Sequence, residues 1–101
     1  MATEIEWAES AIQALEEAAE YIAKDSVVYA AALVAGAEKA AESLTNSPRR
    51  GRSVPEYGDP DIREIFVGSY RLIFRISEAH IEIIAFVHGA RDLEKLIQET
   101  E

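Results

Sequence analysis

Two arginines and a histidine alternate through three apolar, β-rich runs, and that is where this chain places groups able to do chemistry. Residues 62–92 read IREIFVGSYRLIFRISEAHIEIIAFVHGARD. Gly68-Ser69 separates the first two runs and suits a two-residue type II′ hairpin turn. Glu78-Ala79 separates the last two without such a turn signal. If both are two-residue loops, Arg71, Ile73 and Arg75 share a face with Glu64, Phe66, Glu82, Ile84, Phe86 and His88. Arg75 then lies across from Glu82, and Arg71 across from Phe86, where a guanidinium can rest on the ring. Guanidinium groups are fixed cations, and an imidazole titrates near neutral pH. A face that mixes these groups with large apolar side chains is neither an ordinary core nor an ordinary solvated surface. It is read as the working face.

Each residue also has a plainer structural role open to it. The Arg71 stem can pack on Phe86 with its head in water, and Arg75 can be a cross-strand ion-pair partner of Glu82. His88 can cap a strand end by hydrogen bonding, and Arg91 can bond carbonyls at the sheet edge or pair with Asp92. Glu56, between Pro55 and Tyr57, is either a solvated loop carboxylate or a base. Arg49, Arg50 and Arg52 are a solvated charge run or a phosphate-facing rim, and Trp7 and Tyr21 are expected in the core. Ile73, Ile84 and Phe86 form a patch that a monomer rarely leaves bare. A segment of a partner protein, a self-contact or the chain's own C-terminal helix would cover it. Phe66, Arg71, Ile73, Arg75, Ile84 and Phe86 are accordingly the expected partner-binding surface.

The other face of these runs carries Tyr70, Leu72, Phe74 and Ile76 beside Ile65, Val67, Ile81, Ile83, Ala85 and Val87, and must be covered. Two amphipathic helices precede it. Ala8, Ile12, Leu15, Ala19 and Ile22 form one helical stripe; Ala30, Val34, Ala37, Ala41 and Leu44 form a second over residues 27–44, widened by Leu33 and Ala40. Asp25-Ser26 between them offers caps, and so short a link makes an antiparallel hairpin. Residues 3–7 alternate as a brief edge strand. Residues 45–61 read as a loop holding all three prolines, and 91–97 as a short C-terminal helix with Leu93, Leu96 and Ile97 on its apolar side. The fold class is α+β: an N-terminal strand, then a helical hairpin packed on a small antiparallel sheet, in a single domain spanning residues 1–101.

Apolar content of 49% and charged content of 29% fit a soluble globular chain. Without an apolar run of membrane-spanning length or a signal peptide, a cytoplasmic protein with no membrane partner is expected. No cysteine is present and only His80 and His88 among histidines, so neither a metal nor another cofactor is expected. The net charge is −9, which disfavours sequence-independent nucleic-acid binding. It is unevenly spread: residues 1–47 hold nine acids and two bases, residues 48–77 four acids and six bases.

The segments "SPRRGRSVPE", "IREIFVGSYRLIFRI" and "IIAFVHGARDL", in this order behind a strand and a helical hairpin, resemble the RelE/ParE superfamily of type II toxins. The likeness runs from the Trp7 region to Leu93. It implies a bacterial growth inhibitor of a toxin–antitoxin system, a class that includes plasmid-stabilization modules, silenced by a cognate antitoxin. ParE-like members are understood to poison DNA gyrase, and RelE-like members to cut messenger RNA on the ribosome. Cleavage by 2′-hydroxyl attack requires a base, an acid and cations for the phosphorane charge. By resemblance Arg71 and Arg91 match arginines that serve the scissile phosphate, Glu56 matches a carboxylate base, and His88 could supply the acid. The tail LEKLIQETE lacks the tyrosine or histidine that nuclease members often carry, and the acidic total suits the ribosome poorly. Both points, with "HGARDL", favour the ParE branch. The alternatives are a RelE-like endoribonuclease and an inactive member that only binds its antitoxin. A homodimer or a toxin–antitoxin hetero-oligomer is compatible with each.

Overall fold

The computed structural model describes residues 3–91 and 93. In chain order these form β1 (Glu4–Trp7), α1 (Glu9–Ala23), α2 (Val27–Ser43), β2 (Arg52–Ser53), β3 (Ile62–Val67), β4 (Tyr70–Ile76) and β5 (His80–His88). The strands make one sheet in the order β1-β5-β4-β3-β2. All pairs are antiparallel except β1, which runs parallel to β5. The expected α+β architecture is present, with the N-terminal strand at one edge and the helical hairpin on one face. The expected C-terminal helix lies outside the described residues apart from Leu93.

Small side chains let the helices sit close to the sheet. Ala11, Leu15 and Ala18 of α1 and Ala37 and Ala41 of α2, with Leu44, pack on Val67, Leu72, Phe74, Ile81, Ile83 and Phe86. Ser26 begins α2 by accepting a hydrogen bond from the Tyr29 amide at 3.1 Å, which satisfies one of the orphan donors of the first turn. The buried stripe of α1 is rotated from the expected one: Ala11 and Ala18 are buried, while Ile12 is 42% exposed. Tyr21, expected in the core, is 69% exposed near the end of α1, and Trp7 is half-buried.

The β3–β4 turn has the expected two residues, with Val67 opposite Tyr70. Gly68 takes a φ of +59° while Ser69 does not leave negative φ, the combination a type II′ turn needs. The β4–β5 pairing also starts as expected, with Ile76 opposite Ile81 and Arg75 opposite Glu82. It then slips by one residue. Phe74 faces Ile83 but Ile73 faces Ala85, leaving Ile84 as an extra residue on β5. This one-residue bulge exchanges the faces of everything beyond it. Phe86 turns into the helix-side core opposite Leu72, and Val87 replaces it opposite Arg71. His88 pairs with Tyr70, so alternation places it on the face away from Arg71.

Because Ile84 is the one extra residue of the bulge, removing it restores a regular ladder in which Phe86 and Val87 keep the faces they have here, with the same core. Deleting it is expected to leave a folded chain at a cost of about 1–2 kcal/mol, the order of one part-buried apolar side chain. A thermal melt followed by circular dichroism checks this; loss of the cooperative transition would assign the bulge a structural role.

The sheet face away from the helices is covered by the chain itself. Val54 and Tyr57 of the 45–61 segment, with Leu93, pack on Ile62, Ile73 and Val87. The segment is pinned where Gly51, at φ +89°, approaches the Glu64 carbonyl so closely that a Cβ would lie 2.3 Å from its oxygen. The expected bare patch is therefore absent. Ile73 is fully buried and Phe86 is 3% exposed; of the six proposed patch residues, Phe66 and Arg75 alone are exposed.

Candidate functional site

Four charged side chains meet where the 45–61 segment crosses β3 and β4. Arg71 projects from β4 toward Glu64, which sits diagonally across the β3–β4 pair, two residues from Phe66, the residue opposite Arg71. The Arg71 Nε donates to Glu64 Oε1, and its two terminal nitrogens donate to the two Glu56 oxygens, each at 3.2 Å. Glu64 accepts a second bond, from Arg52 Nε at 2.8 Å, and the Arg52 guanidinium lies 5.4 Å from the centroid of the Phe66 ring. The Glu64 side chain is fully buried and that of Arg71 is 7% exposed, against 28% for Glu56 and 67% for Arg52.

Two guanidinium groups and two carboxylates cancel. The arrangement is an internally neutral quartet in which the buried Arg71–Glu64 pair is closed off by the more exposed Glu56 and Arg52, which is how charges survive removal from water. The hydrogen-bonded Arg71 guanidinium holds the Glu56 carboxyl below its usual 4.5, outweighing the upward push of partial burial. Reciprocally, the bond Arg71 donates to Glu56 raises the Arg71 pKa. Burial pushes the hydroxyl of Tyr57, next in the segment, upward.

A pH dependence follows from the sign of the Glu56 shift. Its folded pKa lies below the unfolded value, so its contribution is fully present above 4.5 and is lost as pH falls from there through the folded pKa. Glu56→Gln is expected to be less stable than the native chain by about 1–2 kcal/mol near neutral pH. That gap should close in acid. Urea unfolding of both chains at about pH 7 and about pH 3 measures it, and an unchanged gap would mean that Glu56 does not hold the segment through its charge.

Of the four residues that could have formed a catalytic set, Arg71 and Glu56 meet, but as partners in an ion pair. His88 lies edge-on to Tyr70, with ring centroids 5.2 Å apart, and its Nδ1 accepts from the Ala90 amide at 3.1 Å, which puts the proton of the neutral ring on Nε2. Arg91 is exposed beyond the end of β5. Arg75 reaches Glu82 at 3.8 Å, and Arg49 pairs with Asp61 at 3.1 Å. Sequence reasoning put Glu64 on the same face as Arg71, and Arg52 in a charge run or phosphate-facing rim, but named neither among the catalytic or partner-binding residues. The signal for Glu64 was an acid at an inward position of a strand beside an inward arginine.

Two concavities flank these elements. A cleft of about 240 Å³ is lined by Arg52, Pro55, Glu56, Phe66, Arg71 and Gly89. A larger groove of about 490 Å³ runs between the helices, with Trp7, Ile12, Leu15, Ala19 and Val34 as its apolar floor and Glu16, Glu20 and Glu38 as its acidic rim. Among the described residues no cluster of three or more His, Asp or Glu side chains is arranged to hold a metal ion, and no helix is long and apolar enough to cross a membrane.

No curated protein matches the chain, whereas 11 chains of solved structures do. Among them is a chain described as "Chromosomal ParDE TA system from P. aeruginosa", with a TM-score of 0.69 at 17% identity, covering 85% of this chain and 95% of that one. That likeness is one of fold. Residues 5–93 match the family described as "ParE toxin of type II toxin-antitoxin system, parDE". The match takes in both helices, the sheet from Ile5 onward and all four charged residues of the quartet, and the chain belongs to that ParE toxin family.

Proposed function

We propose that this toxin arrests growth by binding DNA gyrase in the cytoplasm, without hydrolytic chemistry of its own, and is neutralised by a cognate antitoxin. The observation that carries the choice of binding over RNA cleavage is the closed quartet. A scissile phosphate needs free cations, and the Arg71 guanidinium is spent on Glu56 and Glu64. Glu56, the matching base, is held anionic but is occupied by Arg71, with its pKa moved away from neutrality rather than toward it. His88 is turned to the other face of the sheet, beside Tyr70.

The antitoxin, in this reading, docks in the groove between α1 and α2 rather than on the sheet face that the 45–61 segment covers. The groove supplies an apolar floor for anchoring side chains and three carboxylates along its rim. It fits an amphipathic helix with apolar residues at i, i+3 and i+4 flanked by lysine or arginine.

Purified toxin is expected to inhibit gyrase supercoiling and to leave messenger RNA uncut in a translating extract. Codon-phased cuts without any effect on supercoiling would overturn the gyrase assignment in favour of the nuclease. Growth without arrest on expression of the toxin alone would point to a chain that binds its antitoxin and harms nothing. Ile12→Glu should abolish copurification with the antitoxin from a two-gene plasmid while leaving supercoiling inhibition intact; retained copurification would remove the groove as the docking site.

A further inference from the structure

Helix α2 has an outer side that none of the described residues covers. Residues 27–37 read VVYAAALVAGA, eleven positions without a charge. Ala30, Ala37 and Ala41 are used against the rest of the molecule. On the opposite side Val28, Ala32 and Ala35 follow at helical spacing and end at Lys39, with Tyr29 and Ala31 flanking, all of them exposed. Val27, Val28 and Tyr29 are 72%, 76% and 72% exposed. A helix that is apolar all round belongs between two surfaces, and the fold supplies one of them.

We propose that the second surface is the same face of another copy, with two α2 helices packed antiparallel about a two-fold axis near Ala32. Size and charge both favour this occupant. The stripe is bulky at its N-terminal end and small at its C-terminal end, so an antiparallel pairing seats Tyr29 of one copy over Ala35 of the other. The same symmetry brings the link before α2, where Asp25 sits two residues ahead of the helix, to the Lys39 end of the other copy's α2. The two-fold makes that contact twice. Both side chains are exposed, and among the described residues neither joins any of the intrachain ion pairs. The remainder of α1 and α2 is acidic and would repel a second copy, whereas this uncharged stretch does not. Eleven helical residues span about 16 Å, a small interface, so the dimer is expected to be weak and reversible, with a dissociation constant on the order of micromolar.

Sedimentation velocity on the purified chain without antitoxin, over a concentration series, tests this. The 11.2 kDa chain should double in mass as concentration rises. Lys39→Glu and Asp25→Lys should each weaken association on the order of tenfold, by replacing two attractive pairs with two repulsive ones. Asp25→Lys/Lys39→Glu should recover it, and Ala35→Arg should abolish it. A native chain that stays monomeric throughout overturns the proposal. So does a dimer indifferent to Ala35→Arg, or one weakened by both single charge changes and not recovered by the pair. Loss of antitoxin copurification in Ala35→Arg from a chain that never dimerises would give the face to the antitoxin instead.

Discussion

Replacing Arg71 by alanine is expected to cost about 3–5 kcal/mol of folding stability, the penalty for stranding a buried charge. The stranded group is Glu64, whose side chain is fully buried. Arg52 would still reach it at 2.8 Å, but from an arginine largely in water. Glu56 would lose both of its bonds to Arg71, and with them the 45–61 segment would lose a fastening. Small domains are stable by about 5–15 kcal/mol, so this one substitution removes a large fraction of the total. A guanidinium waiting for a substrate phosphate would behave in the opposite way, because removing an unpaired buried cation tends to stabilise a fold. Equilibrium urea unfolding therefore reads both energetics and role. A second variant keeps the test clean: Arg71→Met/Glu64→Leu removes both buried charges together and should regain most of the loss. If Arg71→Ala is as stable as the native chain, the quartet does not carry the structural role assigned to it.

Phe86→Ala is expected to cost about 3–5 kcal/mol, the usual range for emptying a buried aromatic site. Phe86 is 3% exposed and stacks on Tyr70, with ring centroids 5.0 Å apart and planes within 4°. Phe66→Ala should change stability far less, because that ring is 53% exposed. The comparison tests the bulge directly. In an unbroken β4–β5 ladder Phe86 would lie on the same face as Arg71 and its loss would cost little, whereas the slip at Ile84 makes it core. Equal, small effects for the two phenylalanines would contradict the observed register.

These two residues also separate exposed surface from core. The face expected to receive a partner is largely occupied by residues 45–61 and Leu93. Apart from Phe66, the accessible apolar surface lies instead on the helical side, in the groove floored by Ile12 and Val34 and along the outer side of α2. An interaction screen aimed at Ile73 or Phe86 would register unfolding and mistake it for lost recognition. Ile12 and Ala35 can be changed with little expected cost to the fold, since both are exposed.

The chain's pattern of apolar residues was enough to determine both helices, four of the five strands, their order and the class of fold. The two-residue β2 (Arg52–Ser53) lies in what reads as a loop, because its two exposed residues carry no apolar alternation. Period-two runs, period-3.6 stripes, Ser26 as a cap and Gly68 as a turn are local signals, and each follows from a few neighbouring side chains. Arg75 opposite Glu82 was legible for the same reason, since the count from a two-residue turn reaches only a few positions. Beyond Ile84 that count fails. A bulge without glycine or proline leaves no local mark, and one extra residue exchanges the faces of Phe86, Val87 and His88. The tertiary structure alone decided the environment of Arg71. Glu56 is fifteen residues away in the chain and Glu64 seven, and whether a guanidinium is free for a ligand or closed by two carboxylates depends on where a proline-rich segment crosses the sheet. Sequence periodicity reports which side of an element is apolar; which of two apolar sides the rest of the chain can reach is settled by packing, because only the folded backbone sets those distances.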